Sequence, residues 1–138
     1  MNSAHAMHGY VALVTLLALL VYLWMFMRVG SARQRFGVEA PAVTGHPEFE
    51  RHFRVQANTL EGLIIFLPSL WLFGAYLNEL VAAGLGAVWI VGRVIYMITY
   101  AKDPKTRSAG FGIQAIATVV LLFGALGGVV WALLKPAG

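Results

Sequence analysis

Three polar side chains recur at helical spacing in one largely apolar stretch of the sequence. Arg54, Asn58 and Glu61 lie at i, i+4 and i+7, a spacing that brings side chains onto one face of an α-helix. Glu61 is seven residues beyond Arg54, which is about 10 Å along a helix. Because a guanidinium binds carboxylates and a carboxylate binds ammonium groups, this face suits a small zwitterionic ligand.

A second polar face follows further along the chain. Arg93, Tyr96 and Tyr100 lie at i, i+3 and i+7, and Arg107 follows in the next basic segment. A tight turn between the two stretches predicts antiparallel neighbouring helices, so the two faces form one polar cleft. For Arg93 a second interpretation stays open, a buried ion pair with Glu61 that only fixes helix register.

The composition identifies the elements that position these side chains. Of 138 residues, 59% are hydrophobic and 12% are charged, with a mean hydropathy of +0.75 and no cysteine. A soluble domain carries about 25% charged residues, and a disordered or disulfide-framework protein is far less apolar or rich in cysteine. The sequence therefore predicts an all-α integral membrane protein with one domain, residues 1–138.

Four stretches are long and apolar enough to cross a bilayer, whose hydrocarbon core takes about 20 helical residues. A signal peptide is the alternative for the first, but no Lys or Arg precedes it, so the required basic segment is missing. Glu61 and Arg93 are the charges within the second and third stretches. The predicted spans are residues 9–28, 55–78, 80–101 and 108–134.

The basic residues predict the topology. Eight of the ten lie in or beside the first and last connections, whereas one lies in the carboxyl-terminal tail and one is Arg93. Both basic connections are expected to face the cytoplasm and both termini the other side. The positive charge thus orients a multi-pass membrane protein, and nucleic acid is not expected as a partner. The eight are Arg28, Arg33, Arg35, Arg51, Arg54, Lys102, Lys105 and Arg107.

The histidines do not predict a metal site. His5 and His8 precede the first span, while His46 and His52 lie in the first connection. The predicted topology puts the two pairs on opposite sides of the membrane, so they cannot share a metal ion. No metal cofactor is expected.

Two blocks of this sequence resemble a known family. Residues 45–61, GHPEFERHFRVQANTLE, closely resemble the signature of the membrane-associated proteins in eicosanoid and glutathione metabolism, the MAPEG family. Ser31-Ala32-Arg33 is similar to the family at the end of the first helix. The second block, from Arg93 through Tyr96 and Tyr100 to Arg107, resembles the family's third-helix pattern.

The resemblance implies a left-handed four-helix bundle that assembles as a homotrimer, with three glutathione sites between adjacent protomers. It implies a microsomal glutathione S-transferase-like enzyme that uses glutathione as co-substrate and takes lipophilic electrophiles from membrane lipid, a role in detoxification. The positions that match glutathione-binding residues of the family are Arg33, Arg54, Gln56, Asn58, Glu61, Tyr96, Tyr100 and Arg107.

The same resemblance suggests how the reaction proceeds. Arg107 matches the arginine that activates the thiol in the leukotriene-C synthase-like branch, and Tyr100 is placed to donate a second hydrogen bond to sulfur. Reduction of lipid hydroperoxides is expected from the same thiolate. The lack of cysteine and the short tails favour a bacterial inner membrane, with the active site facing the cytoplasm.

Two positions depart from the leukotriene-C synthase-like branch of the family. Gln34 replaces a second arginine and Gly62 replaces an aromatic residue, which argues against leukotriene synthesis but not against glutathione transfer.

Two other functions stay open. One alternative is a non-catalytic lipid-binding scaffold of the same fold. The other is a small multidrug transporter, which also has four spans and an intramembrane carboxylate.

Overall fold

The computed structural model describes residues 8–136 and consists of four long helices. All four are long and apolar enough to cross a membrane, which confirms the predicted all-α membrane fold. A single 3-10 turn, Pro104–Thr106, precedes the last helix. The helices are α1 Gly9–Phe36, α2 Pro47–Tyr76, α3 Glu79–Lys102 and α4 Ser108–Leu134.

The helices α1 and α2 extend well past the predicted spans. α1 ends eight residues after residue 28 and α2 begins eight residues before residue 55, about 12 Å of extra helix each. An uncharged run marks the hydrocarbon core and not the end of the helix, because charged residues are good helix formers in water. The first connection is therefore 37–46, shorter than predicted, whereas α4 coincides with its uncharged run.

Local signals fix the ends of these helices. Gly37 follows α1 in the left-handed conformation, at φ 68°, and its N–H donates to the carbonyl of Arg33, an arrangement that favours glycine. Pro47 begins α2, where its missing N–H costs nothing. The side chain of Asn78 accepts a hydrogen bond from the N–H of Val81 and caps α3.

Glu79 ties the first helix to the third at the end opposite the two basic connections. Its Oε1 accepts hydrogen bonds from the backbone N–H groups of Tyr10, at 3.1 Å, and Val11, at 3.5 Å. These N–H groups belong to the first turn of α1, which has no partners within its own helix. A carboxylate at this position also balances the positive end of the helix dipole.

The bundle has a central pair, α2 and α3, against which α1 and α4 both pack. The rings of Phe66 on α2 and Trp89 on α3 stack in parallel, with centroids 4.1 Å apart. Leu70 and Leu121 are fully buried beside them. Large apolar side chains such as Leu16, Ile64 and Phe123 point outward, as expected for a surface that meets lipid or a neighbouring protein chain.

α3 and α4 cross at two glycines. A methyl group on Gly110 would lie 2.7 Å from both the carbonyl oxygen of Gly92 and the Cα of Tyr96. A methyl group on Gly92 would lie 2.7 Å from the backbone nitrogen of Gln114. Small residues allow the close backbone approach that stabilises membrane helix pairs, and this crossing places the first turns of α4 beside Arg93 and Tyr96.

We expect Gly110→Ala to destabilise the bundle by about 1–3 kcal/mol, because overpacking forces two backbones apart. The control is Gly127→Ala on the same helix, where an added methyl meets nothing within 4 Å and alanine is the better helix former. Thermal unfolding in detergent tests this difference. Equal midpoints for the two variants would contradict the close crossing.

Candidate functional site

Arg93 is buried in the middle of the bundle, with 2% of its surface exposed. Its Nη1 donates to Oδ1 of Asn58 at 2.7 Å and to Oγ1 of Thr59 at 3.5 Å. Its guanidinium lies over the rings of Trp89 and Tyr96, 5.5 and 5.2 Å from their centroids. Aromatic faces attract a cation, so neutral groups on α2 and α3 hold this charge.

The ion pair between Arg93 and Glu61, one of the two interpretations of the sequence, does not form in this structure. The hydrogen-bond partners of Arg93 are Asn58 and Thr59, whereas the side chain of Glu61 is exposed. Asn58 occupies the same face of α2 one turn nearer the basic connections and meets the guanidinium first. The positive charge of Arg93 is therefore not neutralised by this carboxylate, and Glu61 stays available to a ligand.

Three neighbouring cavities share Asn58 as a lining residue, and together they form the predicted polar cleft. The α2 cavity, of about 330 Å³, is lined by Arg54, Glu61 and residues of the first connection. The Arg107 cavity, of about 670 Å³, lies between Tyr96 and the start of α4. The Arg93 cavity, of about 250 Å³, lies deeper between α2 and α4.

The Arg107 cavity has a positive wall. Arg107 immediately precedes α4, and its exposed side chain lines the cavity together with Lys105, Ser108 and Phe111. The first turn of a helix presents free N–H groups and the positive end of the helix dipole. Fixed positive charge and helix N–H groups together favour an anion in this cavity.

The two predicted tyrosines have different environments. Tyr96 lines the Arg107 cavity, and its ring stacks on that of Tyr100 with centroids 5.4 Å apart. Tyr100 is 7% exposed, belongs to a cluster with Met25 and Val55, and is not among the residues that line this cavity. Tyr100 therefore packs against the ring of Tyr96 and does not line the Arg107 cavity.

Arg33 and Gln56 lie away from the three cavities. Nη1 of Arg33 donates to the carbonyl of Ala42 at 2.7 Å, and Nε2 of Gln56 donates to the hydroxyl of Tyr22 on α1 at 3.4 Å. Neither side chain lines a cavity shared with Asn58. At 100° per residue, Gln56 points about 160° away from Asn58. The structure thus separates the predicted ligand-binding residues into two groups.

Several polar residues that line the cleft were not among the predicted site residues, and they include Glu50, Lys105 and Gln114. Lys105 lines the Arg107 cavity and Gln114 lines the Arg93 cavity. A signal for Gln114 exists, since it is an isolated amide in the long uncharged run of α4, and polar groups within a membrane helix mark functional positions. Lys105 has no such signal, because charged residues are common in exposed connections.

Two of the described histidines contact aromatic rings. His46 caps α2 by accepting from the N–H of Glu48, and its ring stacks on Phe36. His8 precedes α1 near Trp71, and His5 lies outside the described residues. Within residues 8–136, no three His, Asp or Glu side chains are grouped as metal ligands.

Comparison with known sequences identifies the family. The sequence profile of the MAPEG family matches residues 11–127, nearly the whole chain. The chain belongs to the MAPEG family. The predicted family resemblance is confirmed, and with it a membrane protein related to glutathione transferases.

Similar MAPEG proteins come from bacteria and mammals. An uncharacterized protein of Synechocystis sp. is 46% identical over 122 residues, 88% of this chain and 89% of its own length. Microsomal glutathione S-transferase 2 of Homo sapiens is 42% identical over 84% of this chain and 80% of its own length. Leukotriene C4 synthase of Bos taurus is 39% identical over 80% of this chain and 74% of its own length.

We expect Asn58→Leu to destabilise the protein by about 1–3 kcal/mol even without ligand, because the buried Nη1 of Arg93 loses its amide partner. Asn58→Asp is the matched control, since a carboxylate at the same position keeps an acceptor for the guanidinium. Thermal unfolding of the ligand-free protein measures both variants. A leucine variant as stable as the wild type would contradict the role assigned to Asn58.

Proposed function

We propose that this protein is a membrane-bound glutathione transferase that joins the glutathione thiolate to lipophilic electrophiles. The observation that carries the proposal is the Arg107 cavity, an anion-favouring pocket that opens beside Asn58 and Tyr96. Its MAPEG relatives named glutathione S-transferase and leukotriene C4 synthase support the same chemistry. Glutathione is the co-substrate.

The charges of the cleft match the charges of glutathione. Glutathione carries two carboxylates, one ammonium group and a thiol. Arg54 and Glu61 line the α2 cavity together, so one offers a guanidinium for a carboxylate and the other a carboxylate for the ammonium group. Asn58 joins this cavity to the Arg107 cavity, where we place the sulfur.

Arg107 is proposed to activate the thiol. A free thiol has a pKa of about 8.5, so only a few per cent is thiolate at neutral pH, and the thiolate is the nucleophile. A guanidinium within about 4–6 Å lowers such a pKa by one to three units, and the N-terminus of α4 acts in the same direction. A guanidinium acts here as a fixed positive charge and needs no proton transfer of its own.

Two reactions follow from this thiolate. In conjugation, sulfur forms a bond to an electrophilic carbon, and the leaving group departs with the bonding electrons, giving a thioether. With a lipid hydroperoxide, one thiolate attacks the peroxide oxygen and a second glutathione completes the reduction, giving an alcohol, water and oxidised glutathione. In this proposal Tyr100 holds the ring of Tyr96 in place, in contrast to the direct contact with sulfur expected from the sequence.

Sites shared between protomers explain the two separate groups of ligand-binding residues. Arg33 and Gln56 are held away from the cleft by contacts within their own protomer. A single glutathione that contacts both groups therefore bridges two copies of the chain. We propose the homotrimer that the family resemblance implies, with a site at each of three equivalent interfaces.

We propose a bacterial inner membrane as the location, with the cleft facing the cytoplasm. Eight of the ten basic residues lie at the end of the bundle where the cleft opens, and cytoplasmic ends carry such an excess. The relative in Synechocystis sp. supports a bacterial setting.

We expect Arg107→Ala to reduce the thiolate formed on mixing with glutathione about tenfold or more at neutral pH, since the charge proposed to stabilise the thiolate is lost. Stopped-flow absorbance in the ultraviolet thiolate band measures it, with glutathione binding followed separately. Arg35→Ala is the control, because it removes the same charge at the same end of the bundle, away from the Arg107 cavity. An undiminished signal in the Arg107 variant would refute the assignment.

Mixed trimers test whether the site is shared. Arg33→Ala and Arg107→Ala protomers with different affinity tags are co-expressed, and trimers holding both tags are purified. If each site takes its Arg33 and its Arg107 from adjacent protomers, every mixed trimer has one intact site and about one third of wild-type activity. Mixed trimers as inactive as the two parent variants would place the whole site within one protomer.

A further inference from the structure

We propose that the Arg35 cavity, between α1 and α2 at the end of the bundle that carries the basic connections, binds the phosphate group of an anionic phospholipid. This inference goes beyond the proposed transferase function, because the cavity shares no lining residue with the polar cleft. The cavity has a volume of about 150 Å³ and is lined by Arg28, Ser31, Ala32, Arg35, Phe36 and His52.

Every polar side chain that lines the Arg35 cavity can donate a hydrogen bond to phosphate. Arg28 and Arg35 carry guanidinium groups, whose parallel N–H groups bind phosphate oxygens in pairs. Ser31 adds a hydroxyl group and His52 a ring N–H. Arg28, Ser31 and Arg35 lie at i, i+3 and i+7 on one face of α1, and His52 completes the lining from α2.

These donors are available to a ligand. Within residues 8–136 none of the four side chains makes a hydrogen bond, whereas the hydroxyl of Thr15 on the same helix donates to the carbonyl of Val11. Among the residues that the structure describes, no Asp or Glu lines the cavity, and Glu48, one turn before His52, is exposed outside it. The cavity therefore offers an anion positive charge without a competing carboxylate.

An exposed apolar stripe of α1 leads to the cavity. The stripe consists of Leu13, Leu17, Leu20 and Trp24. Its four side chains are between 43% and 59% exposed, and Arg28, Ser31 and Arg35 continue its helical spacing of three and four residues. The stripe is about 16 Å long, close to half of the bilayer's hydrocarbon core of about 30 Å. One face of α1 thus matches an acyl chain within one leaflet, followed by a charged headgroup.

Trp24 and Arg28 place the cavity at the depth of lipid headgroups. Arg28 is the last residue of the predicted span 9–28, and its Cζ lies 6.0 Å from the centroid of the Trp24 ring. Tryptophan is enriched where the membrane meets water, and an arginine near a helix end extends its charged group toward that boundary. The phosphate of a phospholipid lies in the same layer.

The cavity lies on a side of α1 that the proposed trimer leaves open. Arg33 is two residues from both Ser31 and Arg35, so it points about 160° away from each of them. In the proposed trimer, Arg33 belongs to the site shared between protomers. Lipid can therefore reach the Arg35 cavity while the interface is formed.

The same features favour an anionic phospholipid over other sources of phosphate. The cavity is smaller than the about 300–1,000 Å³ of sites for drug-sized ligands, so it fits one small anionic group. A soluble phosphate gains only the contacts of the cavity, whereas a phospholipid also covers the apolar stripe. A zwitterionic phospholipid brings an ammonium group close to Arg28 and Arg35, which repel it.

The test compares phosphatidylglycerol with phosphatidylcholine of the same acyl chains, each titrated onto the ligand-free protein in detergent and followed by native mass spectrometry. The wild type is expected to bind phosphatidylglycerol about tenfold more tightly or better, since each basic residue near the headgroup adds to the affinity for anionic lipid. The double variant Arg28→Gln, Arg35→Gln is expected to lose this preference.

The matched control is the double variant Arg51→Gln, Lys102→Gln. It removes two positive charges at the same end of the bundle, where Arg51 donates to the carbonyl of Lys102, and neither residue lines the Arg35 cavity. The control is expected to keep the preference for phosphatidylglycerol. An equal loss in both double variants overturns the proposal, because the preference then follows the net charge and not the cavity.

A single substitution guards against a folding defect in the double variant. Ser31 is exposed on α1, and glutamate is at least as good a helix former as serine. Ser31→Glu adds a carboxylate that competes with phosphate for the two guanidinium groups, so it is expected to remove the preference. A preference retained in both Ser31→Glu and the Arg28, Arg35 variant overturns the proposal, as does a wild type that does not distinguish the two lipids.

Two further measurements distinguish a lipid from a soluble phosphate. Inorganic phosphate alone is expected to bind more weakly than phosphatidylglycerol, and equal affinity overturns the lipid assignment. In phosphatidylcholine nanodiscs, a small fraction of phosphatidylglycerol with brominated chains is expected to quench tryptophan fluorescence more than the same fraction of brominated phosphatidylcholine. This excess is expected to disappear in Trp24→Phe, and equal quenching by the two brominated lipids overturns the proposal.

Discussion

The buried charge of Arg93 is the constraint on which the structure depends. A guanidinium inside a membrane bundle is costly unless its N–H groups find acceptors. Asn58 and Thr59 provide acceptors from α2, and the rings of Trp89 and Tyr96 lie beneath the positive charge. These contacts join α2 to α3 and fix the register in which the rest of the bundle assembles.

The polar groups that face the cleft depend on which partners Arg93 uses. Because Arg93 uses a neutral amide, Glu61 remains free to face the α2 cavity. The glycine crossing of α3 and α4 brings Arg107 and the first turn of α4 alongside Tyr96. Two carboxylates, several cations and a helix N-terminus then surround one polar space within an otherwise apolar bundle, which suits a zwitterion that carries a thiol.

Much of this fold could be predicted from the sequence, because uncharged runs and basic connections determine helix number and order. Hydropathy predicts which residues lie in the membrane, but not where a helix begins or ends. The end of α1 is instead indicated by Gly37, and the start of α2 by Pro47. Helical spacing explains why Gln56 lies apart from the cleft, although resemblance alone groups it with the ligand-binding residues. The neutral partners of Arg93 could not be predicted in this way, because a buried arginine suggests a carboxylate as its partner. Gln114 was not predicted either, since it is one isolated amide among apolar residues.

The measurement that tests the account most directly is turnover by the purified wild-type protein of glutathione with a chlorodinitrobenzene. Conjugate formation is followed by absorbance across a range of glutathione concentrations. A transferase site predicts a rate that saturates with glutathione and exceeds the uncatalysed reaction. Glutathione binding without turnover would contradict the account and indicate a scaffold, and the absence of both, with cation efflux from proteoliposomes, would indicate a transporter.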